Sequence, residues 1–581
     1  MNHPSPAIVA QSAVRPLPRV VLLLVCVVYV LAGFVGREPW KSADVVAFGY
    51  MQQLALGQAD FWHPTLLDQG AATGVLLPYW LGAWAIGLAP DVISASLAAR
   101  LPFALLLGLA LCCTWYAVYY LARDPQAQPV SFAFGGEASP RAYARALADG
   151  GLLALIACLG LGQIGHETSA ALLDLALLSL IFYGTAASPY VRGWPVLAQV
   201  LGIVGLTLNG SAAQGWMLAI GACLLARPRT YPTPPASFER LSAHLPTAWL
   251  TGWQLPIATA IGLLLSLALL LQHPLLPAHL PQHLGAALAY WNAGASWRSW
   301  GQLLLWFTWP TWLLSLWALW RWRRQLLQRH IVLPMWFGCV ALAAAFLRNG
   351  DDRTLLAALP ALAALAAFAL PTLQRTMSSL IDWFTLLFFS GCALFAWLAW
   401  IALQTGWPPK LHHNVIRLVP GYTPEVGPLA LLCGLAVTAA WIWLVKWRIG
   451  RHQPVIWKSL VLPASGMTLC WVLLLTLWLA PVDYARGYRQ QMARLAPLLT
   501  EPAGCIELHG LTPPQVAAVQ YYGRYPIKKA GDDAQCAYLI TTPQAQRALP
   551  YTDSRHRWQL IEPVQRLADR REDMLLFRRI P

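Results

Sequence analysis

The chain has 581 residues, of which 57% are hydrophobic and only 11% charged. Soluble domains carry about a quarter charged residues, so this composition excludes a water-soluble globular protein and indicates a polytopic membrane protein. The formal net charge of +15 is not a nucleic-acid signal, because the basic residues gather in loops on one side of the predicted spans.

Apolar runs of about 15–25 residues, the length a bilayer requires, predict membrane helices over 17–35, 92–122, 149–164, 167–187, 193–208, 210–226, 252–272, 301–320, 331–347, 354–372, 381–403, 427–446 and 456–480. The first run, RVVLLLVCVVYVLAGFV, lacks a small-x-small cleavage site before polar sequence, so it is read as a retained helix and not a signal peptide. An N-terminus carrying Arg15 and Arg19 is taken as cytoplasmic. The loops on its side then hold Arg123, Arg141, Arg145, Arg227, Arg229 and Arg240, RWRRQLLQRH at 321–330 and KWRIGRH at 446–452. That is the positive-inside asymmetry. An odd number of spans, thirteen, places the tail outside, in the periplasm of a bacterial inner membrane.

The longest exported loop, 36–91, contains two half-apolar segments, 43–57 and 75–88, which predict helices lying in the interface. In the tail, CIELHG, CAYLITT, RWQLIEPV and DMLLFRRI are short bursts of β-branched and apolar residues between turn residues, the pattern of strands. YARGYRQQMARLAPLL is a helix candidate. The expected fold is an all-α polytopic membrane unit over 1–480 with a small periplasmic α/β domain over 481–581. Of eleven cysteines only Cys505 and Cys536 fall in that tail, and two cysteines alone in an oxidising compartment predict a disulfide.

Charged groups at membrane depth are costly and mark functional sites, and here they gather on the exported side. The first loop holds Arg37, Glu38, Lys41, Asp44 and Asp68. Arg100 stands near the exported end of the second span, His166 and Glu167 at the turn between spans three and four, and Asp174 further down span four. Arg298 and the RNGDDR turn, with Arg348, Asp351, Asp352 and Arg353, complete the set. A carboxylate can act as general base to an acceptor hydroxyl, and arginines can hold a phosphate through charge-assisted bonds. Asp44 and Glu167 are therefore the catalytic candidates. Lys41, Arg100, Arg298, Arg353 and His166 are the candidates for substrate and phosphate. Each has a plainer reading: Asp44 as a first-turn acid of a helix capped by Ser42, His166 and Glu167 as a satisfied helix end, NGDDR as a turn. The histidine spacing matches no metal motif, so no metal site is assigned, and a divalent metal is left open.

The order of these features resembles the GT-C membrane glycosyltransferases of the protein O-mannosyltransferase and aminoarabinose (lipid A) transferase group. GREPWKSADVVAFGYM, FWHPTLL, LLPYWLGAWAIGL, AARLPFALLLGLAL, DDRTLLAALPALAALAAF and the tail's AAVQYYGRYPI carry the resemblance. It implies a cell-envelope enzyme moving a hexosyl or pentosyl group from a polyprenyl-phosphate donor to a lipid, glycan or protein acceptor at the periplasmic face. Membrane lipids would surround it, and nucleic acid would have no part. Asp44 matches the family's first-loop acid, but Ala43 stands where relatives carry a second one. LLDQGAATGVLLPYW lacks the Glu and Lys of the family's Glu-Lys-Pro-like segment, and Glu167 matches the acid near the turn between the third and fourth spans. Two rival classes remain in view. A transporter or flippase would place charges through the bilayer depth and carry inverted repeats; a non-catalytic relative would use the first loop and tail to bind a partner.

Overall fold

The structure, a computed structural model, describes residues 5–226, 248–273 and 297–580, apart from short stretches at 41, 68, 72–73, 349–350, 451–454, 500–503, 524, 532–535, 547–557 and 567–568. Lys41 and Asp68 therefore lie outside the described residues.

Apolar runs become helices in lipid because every backbone polar group must then be paired within the segment. Among the described residues seven helices are long and apolar enough to cross a membrane: Ala95–Ala122, Ala170–Ala187, Trp253–Gln272, Arg329–Leu347, Asp352–Thr372, Thr376–Thr405 and Pro428–Arg448. Two further pairs, Arg298–Phe307 with Thr311–Arg321 and Lys458–Leu474 with Leu479–Arg486, pass the same test only as bent spans, which gives up to nine. The other predicted spans appear as shorter apolar helices: α1 (Arg19–Phe34), Trp194–Leu208 and Ala212–Leu225, and Pro140–Ala157 followed by Leu159–Ile164. By length and apolarity the count among the described residues is thus seven to nine, which does not confirm the thirteen predicted.

The first loop forms α2 (Ala43–Ala55) and α3 (Leu77–Leu88), joined through the two-residue strands β1 (Thr65–Leu66) and β2 (Gln69–Gly70). α3 keeps an apolar edge outward, with Trp84 50% and Leu88 86% exposed. α2 does not. Its Val45, Phe48, Gly49, Met51 and Leu54 are all buried. A Cβ added at Gly49 would lie 2.7 Å from the Ala517 side chain, and one at Gly82 of α3 would meet Met51. The expected interfacial α2 is instead a core helix held between α3 and the tail, because apolar residues occupy more of its circumference than one lipid-facing stripe.

The tail carries a five-stranded mixed sheet in the order β4-β3-β5-β7-β6. β3 (Ile506–His509) runs parallel to β4 (Ile527–Lys529) and β5 (Tyr538–Thr541), and β7 (Met574–Arg579) runs antiparallel to β5 and to β6 (Trp558–Val564). All four predicted strands are present. The fifth, β4, escaped notice because three residues with two lysines leave no apolar burst. A helix, Pro513–Gly523, connects β3 to β4. The predicted tail helix breaks at Gly487 into Leu479–Arg486 and Arg489–Leu495. Cys505 and Cys536 are disulfide-bonded, with Cα atoms 5.1 Å apart, and so link the segments entering β3 and β5.

Candidate functional site

The chain leaves α1 through Gly36, whose φ of +82° is the left-handed conformation that favours glycine. The described charged residues after it, Arg37, Glu38 and Asp44, are all paired. Arg37 Nη2 lies 2.6 Å from Asp44 Oδ2 and donates to the His166 carbonyl at 2.5 Å. Asp44 Oδ1 accepts from both the backbone N–H and the hydroxyl of Thr168, each at 2.7 Å. Glu38 pairs with Arg489 and accepts from the Tyr522 hydroxyl at 2.7 Å. The Trp40 indole donates to Asp483 Oδ1 at 2.5 Å, and its ring lies under the Arg37 and Arg486 guanidinium groups. The first loop is thereby fastened to the turn before the Ala170–Ala187 helix on one side and to the tail on the other.

Asp44 is 2% exposed. Burial alone would raise its carboxyl, but the Arg37 and Arg100 guanidinium groups and the two Thr168 bonds outweigh that and hold it below the usual carboxylate range. Ser42 precedes the helix without a side-chain cap. Arg100 is equally buried and donates to the Phe34 carbonyl at 3.4 Å and to the Arg37 carbonyl, satisfying acceptors that α1 leaves open at its end. The His166 ring is fully buried between Tyr29, Phe34 and Trp471. Its Nδ1 and Nε2 face the carbonyls of Gly162 and Tyr29 at 2.5 and 2.9 Å.

Beside this clamp opens a cavity of about 420 Å³, lined by Ser42, Ala43, Tyr79, Ser169, Asp174, Gln214, Arg348, Asp351, Arg353 and Pro513 among others. Four of these carry its charge. Asp174 accepts from Asn209 Nδ2 at 2.6 Å and from the Ser211 hydroxyl at 3.0 Å, and stands 3.7 Å from Arg348. Arg348 in turn donates to Ser211 at 3.0 Å. Arg353 is held from behind by Glu167, through Nε to Oε2 at 2.9 Å and Nη2 to Oε1 at 3.3 Å, a bidentate pair that fixes the guanidinium plane. Burial, assisted by the nearby Asp44 charge, raises Glu167 despite Arg353. Asp351 caps the helix beginning at Asp352 by accepting from the Arg353 N–H at 3.4 Å. Burial, with a hydrogen bond that the protonated Asp351 donates to its neighbour Asp352, raises its carboxyl above the usual range.

Of the residues predicted from sequence, Arg353 lines the cavity and Glu167 holds it. Asp44, Arg100 and His166 form the buried clamp next to it. Arg298 is exposed at the start of the Trp297–Phe307 helix, away from the cavity lining. Asp174, Arg348 and Asp351, noted on this side in the sequence without an assigned role, join Arg353 as charged groups on the cavity wall. Asn209 and Ser211 were missed. Their signal was a polar Asn-Gly-Ser between two apolar helices, and strand-like contacts of Val75 and Leu76 with Asn209 and Leu208 pin it to the first loop. Among the described residues no three His, Cys, Asp or Glu side chains converge as metal ligands.

No protein-family model matches the chain, and no curated protein is similar to it in sequence. In three dimensions it is similar to the crystal structure of ArnT from Cupriavidus metallidurans bound to undecaprenyl phosphate, with a TM-score of 0.57 and 16% identity over 96% of this chain and 97% of that one. The apo structure of the same ArnT matches with a TM-score of 0.56 and 14% identity over the same shares. At such identity the likeness establishes a shared fold, the GT-C architecture of membrane helices with an appended sheet.

Proposed function

We propose that this chain is a membrane glycosyltransferase that uses a polyprenyl-phosphate-linked sugar at the cavity beneath the tail, with that face exported. The observation that carries the reading is the convergence of Arg348, Arg353, Asp174 and Asp351 in one cavity of a GT-C fold. The crystallised ArnT of the same fold binds undecaprenyl phosphate, which favours this class of donor here.

In this reading Arg348 and Arg353 hold the donor phosphate. The acceptor hydroxyl attacks the sugar C1, the C1–O bond to phosphate breaks, and polyprenyl phosphate leaves with the bonding electron pair. Asp351, the cavity carboxylate outside the spans with a raised proton affinity, takes the hydroxyl proton. Asp174 and Glu167 orient the two arginines, and the Asp44–Arg37 pair sets the floor on which Ser42 and Ala43 are presented. The tail over 481–581 forms the exported domain.

A deletion strain complemented with variants tests this, with mass spectrometry of membrane glycolipids, envelope glycans and envelope proteins as the readout. Deletion should remove a glycoform and the wild type restore it. Asp351→Asn and Arg348→Gln should each restore less than about one hundredth, the scale on which general acid–base and charge-stabilising groups act. A deletion that alters no glycoform in any of the three fractions refutes the reading.

A further inference from the structure

The span Thr376–Thr405 stops at Gly406, whose φ of +77° is the left-handed turn that ends many helices. Almost at once the chain forms a second helix, Pro409–Leu418, that folds back over the end of the span. Leu411, Val415 and Ile416 pack on Ala399 and Leu403 of the span, and His412 Nδ1 meets the Ala402 carbonyl at 2.8 Å. Beyond the helix, Tyr422 packs edge-on to Tyr484, whose hydroxyl donates to the Pro420 carbonyl at 2.7 Å. The helix therefore sits on the tail side of the membrane unit. The chain then enters the span Pro428–Arg448. Both flanking spans face outward, with only 33% and 11% of their most apolar stretches buried. Leu398, Ile401, Leu429 and Leu432 are exposed near the ends that border the helix, so it is held where two lipid-facing spans reach the membrane boundary.

The outward face of this helix is basic. Lys410, His413, Asn414 and Arg417 are all exposed, at the spacing that brings residues three and four apart onto one helical face. The helix contains no acid, and Glu425, the one acid between the two spans, lies beyond it near Tyr422. Among the described residues Lys410 and Arg417 have no carboxylate partner. A face that met only water would have no use for large apolar side chains at its edges, yet Trp407 is 69% and Leu418 74% exposed. Tryptophan and basic residues together at a membrane boundary mark a segment lying among lipid headgroups. Basic residues there attract anionic lipids, and lipid phosphate accepts charge-assisted bonds from lysine and arginine alike. Because the span already fixes the helix at this depth, its cations are not needed to bring it to the membrane and are free to select among headgroups.

We infer that the Pro409–Leu418 helix is a docking surface for phospholipid of net negative charge in the leaflet on the tail side, with Lys410 and Arg417 on the headgroup phosphates. The test places the purified full chain in nanodiscs of phosphatidylglycerol or of phosphatidylcholine with matched acyl chains and follows hydrogen exchange over 409–418. Exchange there should be at least about fivefold slower in phosphatidylglycerol, the effect of one basic residue at an anionic surface, and added salt should shrink the difference. The double variant Lys410→Gln/Arg417→Gln should exchange alike in the two lipids. Lys410→Arg/Arg417→Lys keeps both charges and should retain the difference, which separates lost charge from a loosened helix. Arg323→Gln/Arg324→Gln lies at the opposite end of the span from Arg348 and should also retain it, which separates a local site from net charge. The inference is overturned if the wild type exchanges alike in both lipids, if the glutamine variant keeps the difference, or if either control variant loses it. Neither donor nor acceptor is present, so the outcome is independent of whether the chain transfers sugar.

Discussion

Asp44 is the residue on which sequence and structure disagree most sharply in emphasis, and Asp44→Asn separates the two. The asparagine keeps an oxygen that can accept from Thr168 but removes the charge facing Arg37 at 2.6 Å. Both side chains are nearly inaccessible, 1% for Arg37 and 2% for Asp44. Breaking one partner of such a buried pair costs about 3–5 kcal/mol, because the other charge is left uncompensated. The lower end applies here, since Arg37 keeps the His166 carbonyl. Arg37→Met should cost a similar amount, and the double variant Arg37→Met/Asp44→Asn should cost well below the sum, as coupled sites do. Thermal unfolding of purified protein in detergent measures stability, and transfer activity below all the melting points measures chemistry. A clamp predicts destabilised single variants with a partly rescued double. Should Asp44→Asn melt with the wild type while turnover collapses, the carboxylate is a proton acceptor and the clamp argument is wrong.

Two buried carboxylates should respond to pH in opposite senses. Asp44 has a lowered folded-state pKa, so its stabilisation is present above the unfolded value of about 3.9 and is lost as pH falls through the folded value. Glu167 has a raised one, so its ionisation weakens the fold as pH rises from the unfolded value of about 4.3 through the folded value. Glu167→Gln should flatten that decline, and an unchanged melting-versus-pH profile would refute the assignment. Reducing the Cys505–Cys536 bond, which spans a separation of 31 residues, should destabilise the tail by about 3–4 kcal/mol on the loop-entropy account. Protease cleavage between 500 and 581 should quicken with dithiothreitol, and equal cleavage with and without it would count against the bond.

The helical membrane architecture, the first-loop helices and four tail strands were legible because each leaves a periodic or compositional trace in a few consecutive residues. The cavity was legible only in part. Arg353 and Glu167 announced themselves as charges beside apolar runs, but their pairing joins positions far apart in the chain, which no local pattern encodes. The same holds for Asp174 with Asn209, Ser211 and Arg348, where three helix ends meet. α2 was misjudged for a related reason. Whether an apolar helix face meets lipid or protein depends on what lies above it, and here that is the tail helix Pro513–Gly523, more than four hundred residues later.

That covering has a functional corollary. Ser42 and Ala43 of the charged cavity and Gln52 and Gln53, which line a second cavity of about 890 Å³ between the first loop and the tail, stand at opposite ends of α2. Ten residues of helix at 1.5 Å per residue separate them by about 15 Å. The two cavities therefore cannot hold the same reacting atoms. They can hold two parts of one extended ligand, or two ligands. α2 is fixed at its start by Asp44 to Arg37 and Thr168, and along its length by Gly49 against Ala517 and Phe48 against Tyr521. Tyr521 also lines the second cavity. A ligand that ordered Tyr521 and Gln520 would brace the same helix whose first turn walls the charged cavity. Any coupling between the cavities would pass through this one rigid element, so loosening the Asp44 clamp should weaken that coupling first.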